Sequence, residues 1–225
     1  MEFQGFTPEA GAFLWELRFN NERPWFLAHK EEFERVLNRP IRALAAETLA
    51  EMEKRFPDYG FEMHISRIYR DARRLFGRGP YKDHLWFNTH TGSRHTQGPS
   101  YWFEIGAVTY SYGLGWWDAD AEMMNALRRA IDANPARFER LVAGLDKGWQ
   151  LWGTPYKRPK AERGEIINPW YNRRSLSVGW EYDLGGALFD GRLPILLADC
   201  YEKLLPLHDF FWAAWQAGRP EEAKA

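Results

Sequence analysis

The stretch FEMHISRIYRDARRLFGRGPYKDH, residues 61–84, decides the fold. Apolar and polar residues alternate from Phe61 to Tyr69, which is the period of a half-buried β-strand. Apolar residues before this stretch recur at helical spacing, so the chain changes here from helix to sheet. Between residues 66 and 84 there are five arginines and one lysine but only two aspartates. So many guanidinium groups repel one another unless an anion lies among them, either the protein's own carboxylates or a ligand.

The N-terminal quarter is predicted to be helical over residues 6–56. Thr7-Pro8-Glu9 suits a helix start, because Thr can cap the helix, Pro fits its first position and Glu meets the positive end of its dipole. Pro57-Asp58-Tyr59-Gly60 then predicts a turn into the first strand.

Three further strands are predicted, over Leu85–Thr89, Tyr101–Val108 and Thr109–Leu114, and the short link between the last two favours antiparallel pairing. Downstream of the sheet we expect a helix capped by Asp118, another capped by Asn134, an irregular segment over 145–175 and a C-terminal helix from Gly191 to about Trp215. This order predicts an α+β fold: an antiparallel sheet of about four or more strands, with helices at the N-terminus, after the sheet and at the C-terminus.

Size and composition favour a single domain over 1–225: helical 6–56, a sheet core 57–117, helical and irregular 118–217, and a frayed tail 218–225. The formal net charge of −1 gives no general argument for nucleic-acid binding. The single cysteine, Cys200, excludes an internal disulfide. With no apolar run long enough for a membrane span and no secretion signal at the N-terminus, we expect a cytoplasmic protein without membrane contact.

The segment Ile65-Ser66-Arg67-Ile68-Tyr69-Arg70-Asp71, with Arg73 and then Pro80-Tyr81-Lys82, closely resembles the signature of a mainly bacterial family, domain of unknown function 2461. Further matches are Asn20-Asn21 with Trp25-Phe26, and Gly113-Leu114-Gly115-Trp116 before a helix containing Arg128. The chain departs from the family pattern at 74–78, where Gly77 stands in place of a carboxylate. The resemblance implies a single cytoplasmic-type domain and supplies no catalytic residues to transfer.

The basic residues of 66–84 allow two interpretations. In the first, Arg67, Asp71 and Arg73 form an ion network that fixes the sheet to a helix. In the second, guanidinium forks hold a phosphate or carboxylate, a geometry that arginine suits well. On the second interpretation we expect a phosphorylated or other anionic small molecule, such as a nucleotide, to bind between this segment and the 150–175 loop, with group transfer or hydrolysis as the chemistry if the protein is an enzyme. The candidate catalytic residues are Asp71 and Tyr81, and the candidate ligand-binding residues are Arg67, Tyr69, Arg70, Arg73, Arg78, Lys82, His84 and Arg174.

A second functional class stays open, a non-enzymatic module that binds nucleic acid or protein through a basic and aromatic face. The 157–174 segment mixes lysines, arginines and aromatic rings as single-strand binding sites do. We expect no cofactor and no metal site, because His84 and His90 are about 20 Å apart on an extended strand. Only a bend near Thr89 would bring His90 and His95 together.

Overall fold

The computed structural model of the chain describes residues 2–71, 73, 75, 77–92, 98–116 and 119–218. Across these ranges, no helix combines the length and apolar character that crossing a bilayer requires. The predicted fold class is confirmed: helices at the N-terminus, after the sheet and at the C-terminus accompany a six-stranded antiparallel sheet.

Eight α-helices are described within these ranges: α1 Pro8–Phe19, α2 Arg23–Ala28, α3 Lys30–Phe33, α4 Arg39–Arg55, α5 Ala121–Ala133, α6 Pro135–Ala143, α7 Gly164–Tyr171 and α8 Leu193–Gly218. A π-helical turn, Glu34–Asn38, leads directly into α4. Asn134 caps α6 as predicted, since its side chain accepts a hydrogen bond from the Arg137 amide. The predicted cap of α5, Asp118, was wrong and lies outside the described residues. Asp120 is the N-cap, since its Oδ1 accepts a hydrogen bond from the Met123 amide at 2.7 Å.

The strands are β1 Phe61–Ile65, β2 His84–Thr91, β3 Ser100–Gly106, β4 Thr109–Gly115, β5 Gln150–Trp152 and β6 Ser177–Asp183. Their order in the sheet is β1-β2-β3-β4-β6-β5. Strand β5 and helix α7 lie within 145–175, so the prediction that this whole segment is irregular was too broad. Its remaining residues adopt turns and bends.

The chain divides into two compact units whose residues interleave in sequence. Unit 1 comprises Met1–Thr89, Trp102–Tyr112 and Glu181–Asp199, and unit 2 comprises His90–Tyr101, Gly113–Trp180 and Cys200–Ala225. The single domain over 1–225 stays a prediction. Of its predicted frayed tail, 218–225, only Gly218 is among the described residues, as the last residue of α8.

In unit 1, one face of the sheet is the core face. Phe87 on β2 and Phe103 on β3 are fully buried and stack with ring centroids 5.4 Å apart. The next side chains along these strands, Trp86 and Glu104, are only half-buried because successive residues point to opposite faces. The second face of the sheet in unit 1 is therefore the polar one.

In unit 2, the core is aromatic. Phe138 of α6 lies edge-to-face with Trp170 of α7, with centroids 5.4 Å apart, and Trp116 packs on Phe211 of α8 at 4.7 Å. The chain is 16% aromatic, and part of this content is accommodated by interior packing, where rings bury much apolar area.

The first strand is shorter than predicted. It ends at Ile65, and beyond it Tyr69 forms only an isolated pairing with Tyr81. Ser66 donates its amide hydrogen to Trp86 O, whereas Ile68 O accepts from the Lys82 amide. A step of two residues beyond β1, from Ser66 to Ile68, thus corresponds to a step of four residues along the opposing segment, from Trp86 to Lys82. The two extra residues, near Asp83, interrupt the regular ladder of backbone hydrogen bonds.

Candidate functional site

The candidate site is a hairpin in unit 1, which we call the basic hairpin: arm 66–70, arm 80–86 and the residues between them. Backbone bonds hold the arms together, from the Lys82 amide to Ile68 O at 2.7 Å and from the Arg70 amide to Pro80 O at 2.8 Å. Ile68 is 3% exposed, while its neighbours Arg67 and Tyr69 are exposed. The hairpin therefore has an anchored side and an open side.

Asn21 attaches the hairpin to the helical region. Its Nδ2 donates to Tyr81 O and its Oδ1 accepts from the Tyr81 amide, both at 2.9 Å. A side-chain amide has the same donor and acceptor as a peptide group, so Asn21 pairs with Tyr81 as a strand residue would. Gly79 is required beside it, because a Cβ there would lie 2.3 Å from the Asn21 side chain.

Aromatic packing fixes Tyr81. Its ring is 2% exposed and stacks on Phe26 of α2 with centroids 4.2 Å apart, and Tyr69 packs on it at 5.3 Å. Burial raises the pKa of Tyr81, with the nearby Tyr69 acting in the same direction and Arg23 opposing it. The Tyr81 hydroxyl consequently keeps its proton at neutral pH. Tyr69, by contrast, is 53% exposed and lies at the rim of the hairpin.

Arg70 and Arg18 converge on one carboxylate, Asp83. Arg18 Nε donates to Asp83 Oδ2 at 2.9 Å, and an Arg70 guanidinium nitrogen lies 3.5 Å from Oδ1. Arg70 Nε also donates to Tyr81 O at 2.7 Å. Burial would raise the pKa of Asp83, but hydrogen bonds from His84 and Arg18 outweigh it, and the pKa is lowered. Arg70 is therefore anchored at least partly by the protein's own acid.

Lys82 is balanced differently. Its Nζ donates to the carbonyl oxygen of Arg67 at 2.7 Å and lies 5.7 Å from the centre of the Trp86 ring. Burial lowers the pKa of Lys82, and the charges of Arg70 and Arg67 lower it further, although Glu104 opposes them. The potential at this ammonium is therefore set more by cations than by acids.

Glu104 of β3 is the unusual acid near this group. Burial raises the pKa of Glu104; Asp83 and Glu181 act in the same direction, while His84 and Lys82 oppose the rise. His84 Nδ1 lies 3.3 Å from Asp83 Oδ1. Acids and bases whose pKa values are displaced in opposite directions within one small region are characteristic of sites that move protons.

The remaining cations of the hairpin lie on its outer part. Arg73 forms a two-pronged pair with Asp71, from Nε to Oδ1 at 3.0 Å and from Nη2 to Oδ2 at 2.8 Å. Both side chains are exposed, so solvent screens this pair. Arg78 is exposed beside the Gly77 turn, where its amide donates to Leu75 O at 2.8 Å. For Arg67, the described residues include no salt-bridge partner.

The predicted ligand-binding residue Arg174 belongs to unit 2. Its guanidinium carbon lies 5.3 Å from the centre of the Tyr156 ring, and its amide donates to Thr154 O at 2.8 Å. Whether Arg174 shares a ligand with the hairpin stays a prediction. His95, one of the three histidines considered for a metal, lies outside the described residues.

Sequence reasoning missed two contributors. Asn21 entered the sequence analysis only as part of the family match, since nothing local links it to a residue sixty positions away. Glu104 was not among the candidate site residues. Its signal was present in the strand pattern, because it is the acid that alternates with the buried Phe103 and Ile105.

The chain belongs to the family described as conserved hypothetical protein (DUF2461), whose model matches residues 9–210 and so includes the whole basic hairpin. The resemblance drawn from the hairpin residues is thereby confirmed. A comparison with curated proteins gave no match.

Proposed function

We propose that this DUF2461 protein binds a phosphorylated or otherwise anionic small molecule at the basic hairpin, in the cytoplasm. The ligand would serve as the counterion of Lys82 and Arg67, next to Arg70, which Asp83 already holds. If a reaction follows binding, the proposal is group transfer or hydrolysis assisted by this positive field.

The observation that carries the proposal is the environment of Lys82. The ammonium of Lys82 is half-buried and donates to a carbonyl; burial lowers its pKa most, and the charges of Arg70 and Arg67 lower it further against the opposing charge of Glu104. Burial and neighbouring cations disfavour the charged form of Lys82, and an anion bound beside it would offset that cost. An ammonium that served only as a structural strut would be expected to face a carboxylate directly.

The other predicted residues have distinct places in this proposal. Arg67 is exposed and its guanidinium fork is suited to two oxygens of a phosphate. Arg73, Arg78 and the exposed ring of Tyr69 form the rim, and His84 adjoins Asp83.

Proton transfer would involve a small set of groups. The raised pKa of Glu104 leaves this carboxyl better able to hold and donate a proton than an ordinary glutamic acid. Asp71, whose carboxylate holds Arg73 until a ligand competes for it, is a second candidate for moving protons, and Tyr81, which keeps its proton, would act as a hydrogen-bonding and orienting group.

The test is calorimetric titration with inorganic phosphate, pyrophosphate, a nucleoside monophosphate and a sugar phosphate at low salt. We expect at least one of these to bind, and Lys82→Gln and Arg67→Gln each to weaken it by about tenfold, the usual effect of one charge-assisted hydrogen bond. Arg39→Gln is the matched control, since Arg39 is an exposed arginine of the same unit on α4. The proposal fails if none of the anions binds, or if Arg39→Gln weakens binding as much as the two hairpin variants.

A further inference from the structure

A second group of cations lies in unit 2, around the ring of Tyr156. Lys160 Nζ lies 4.9 Å from the ring centre, and the guanidinium carbons of Arg128 and Arg174 lie 5.2 and 5.3 Å from it. A ring has two faces, so at least two of three cations placed over it share a face. These distances place any two of the cations within about 10.5 Å of each other, which is comparable with the Debye length of about 8–10 Å, so physiological salt screens their repulsion only in part.

The segment that carries these cations is held in a defined shape. The Tyr156 amide donates to Asn172 O at 2.9 Å, and the side chain of Asn172 accepts from the Lys160 amide at 2.7 Å and donates to Ala161 O at 3.0 Å. The guanidinium of Arg173 donates to Pro169 O and to Gly153 O. The positive charges are therefore presented from an ordered backbone, which lowers the entropic cost of binding.

Arg128 of α5 is buried and donates hydrogen bonds to the backbone of this segment. It is 6% exposed, and its guanidinium donates to Tyr171 O, to Arg173 O and to Asn125 Oδ1 at 2.7–2.9 Å. All three acceptors are neutral oxygens. The buried charge of Arg128 is thus solvated but not neutralised, and it adds to the positive potential at the surface above it.

Two acids of this region, Asp132 and Glu162, are engaged by other side chains. Asp132 accepts from Arg163 Nε at 2.7 Å and from the Tyr171 hydroxyl at 2.8 Å, and Glu162 accepts from Asn168. Within the described residues, no salt bridge joins Arg128, Lys160 or Arg174 to a carboxylate. Residues 150–175 contain six lysines and arginines but only two glutamates, in a chain whose net charge is −1.

The arrangement suits an extended polyanion better than a small one. The basic side chains Lys157, Arg158, Lys160 and Arg174 are exposed and spread along the segment. A single phosphate would need them to converge in a recess, whereas a chain of phosphates meets spaced cations one by one.

We propose that residues 150–175, which include Tyr156, bind single-stranded nucleic acid through its phosphates, at a site that does not include the basic hairpin. Tyr156 organises the cations and Arg128 raises the potential beneath them. Because the contacts are with phosphates, affinity depends strongly on salt and little on base sequence.

The experiment is fluorescence anisotropy with a labelled 20-nucleotide oligothymidylate, titrated with the full chain at a series of salt concentrations. The variant is Lys160→Gln/Arg174→Gln. Its control is Arg129→Gln/Lys203→Gln, which removes two exposed charges from the same unit. We expect the first pair to weaken binding at least tenfold and to lower the slope of log K against log salt by about 1.4, the value for two single-strand phosphate contacts. The control pair should stay within about twofold.

Four results would overturn the inference: no binding at 20 mM salt, equal losses in both double variants, an unchanged salt slope, or binding of polyglutamate in preference to the oligonucleotide, which would indicate an acidic protein partner instead. Circular dichroism checks that each variant is folded. The hairpin variant Lys82→Gln should keep its affinity for the oligonucleotide, while the single variant Lys160→Gln should keep its affinity for small phosphates. Failure at one site is thereby distinguishable from failure at the other.

Discussion

Two segments of this chain carry the same formal charge and treat it in different ways. Residues 66–84 and residues 150–175 each contain six basic and two acidic side chains. In the first, both acids accept from arginines: Asp83 from Arg18, with Arg70 close by, and Asp71 from Arg73. In the second, Glu162 accepts from an asparagine and Arg163 pairs with Asp132 of α5, while Arg128, also on α5, donates to the segment's carbonyl oxygens at Tyr171 and Arg173. Charge counted along a sequence therefore does not reveal which cations are structural.

The difference lies in what each cation would lose. A cation held by a carboxylate gives up that partner when it binds a ligand, so binding there is a competition. A cation held by carbonyls keeps its bonds and still projects its charge, so a ligand adds to the interactions already present. Substitutions at these two kinds of cation should therefore differ in the size and in the sign of their effects on stability and on ligand affinity.

The largest effect is expected at Arg128. Arg128→Ala leaves the carbonyl oxygens of Tyr171 and Arg173 without this donor in a largely buried region, and should lower the free energy of unfolding by about 3–5 kcal/mol. Differential scanning calorimetry would record a fall in melting temperature of roughly 10 °C.

Arg129 provides the control, since it is the next residue on α5 but is exposed and paired with Glu122. Arg129→Ala should change stability by less than about 0.5 kcal/mol. Equal melting temperatures for the two variants would contradict the role of Arg128 as the support of the segment.

The next largest effect is expected at Asp83. Asp83→Asn removes a charged acceptor shared by Arg18, Arg70 and His84, and should cost about 1–3 kcal/mol at pH 7. The native pKa of this carboxyl lies below its ordinary value of 3.8, so its stabilisation is present above that value and is lost as the pH falls through the lowered pKa. Urea unfolding at pH 7 and pH 3 would measure this, and a difference that grows toward acid pH would contradict it.

Glu104 should respond in the opposite direction. Its pKa lies above the ordinary 4.5, so folding favours the protonated acid and that contribution is lost as the pH rises through the raised pKa. Glu104→Gln should then stabilise the protein by about 0.5–1 kcal/mol at pH 7 and give no gain below pH 4.5. The exposed Glu62 on β1 supplies the comparison variant, Glu62→Gln. A Glu104→Gln protein less stable than wild type at pH 7 would show that the carboxylate is needed as a counterion.

The fold was largely predictable because it is encoded in local patterns. The change of apolar period near Gly60 predicted helix before sheet, and the alternation around Phe103 predicted a strand with one buried face. The end of β1 was not predictable. It depends on the two extra residues of the opposing arm, and strand pairing across a turn leaves no signal at Ile65 itself.

The residue types of the site were predictable, but the contacts between its residues were not. The sequence indicated that cations crowd the stretch from Arg67 to Lys82, yet it could not assign Asp83 to Arg18 or Asn21 to Tyr81, because these contacts join residues 65 and 60 positions apart. Tyr81 was a candidate catalytic residue in the sequence, whereas in the structure it is buried and stacks on Phe26. Burial of that kind follows from tertiary packing, which periodicity alone does not specify.

The smallest effects on stability are expected for the exposed pair Asp71–Arg73. The same pair should give the clearest difference in the sign of the change in anion affinity. Neither Arg73→Ala nor Asp71→Asn should move the melting temperature beyond error, because solvent screens the pair. Their effects on anion affinity should be opposite: Arg73→Ala removes a cation of the rim and weakens binding of pyrophosphate about two- to threefold, whereas Asp71→Asn removes the carboxylate that competes for Arg73 and strengthens it. Calorimetric titration at low salt measures both. If both variants change the affinity for pyrophosphate in the same direction, Asp71 orients Arg73 for the ligand and does not compete with the ligand. The contrast between the two segments would then depend on Arg128, which donates to the second segment, and on no other residue.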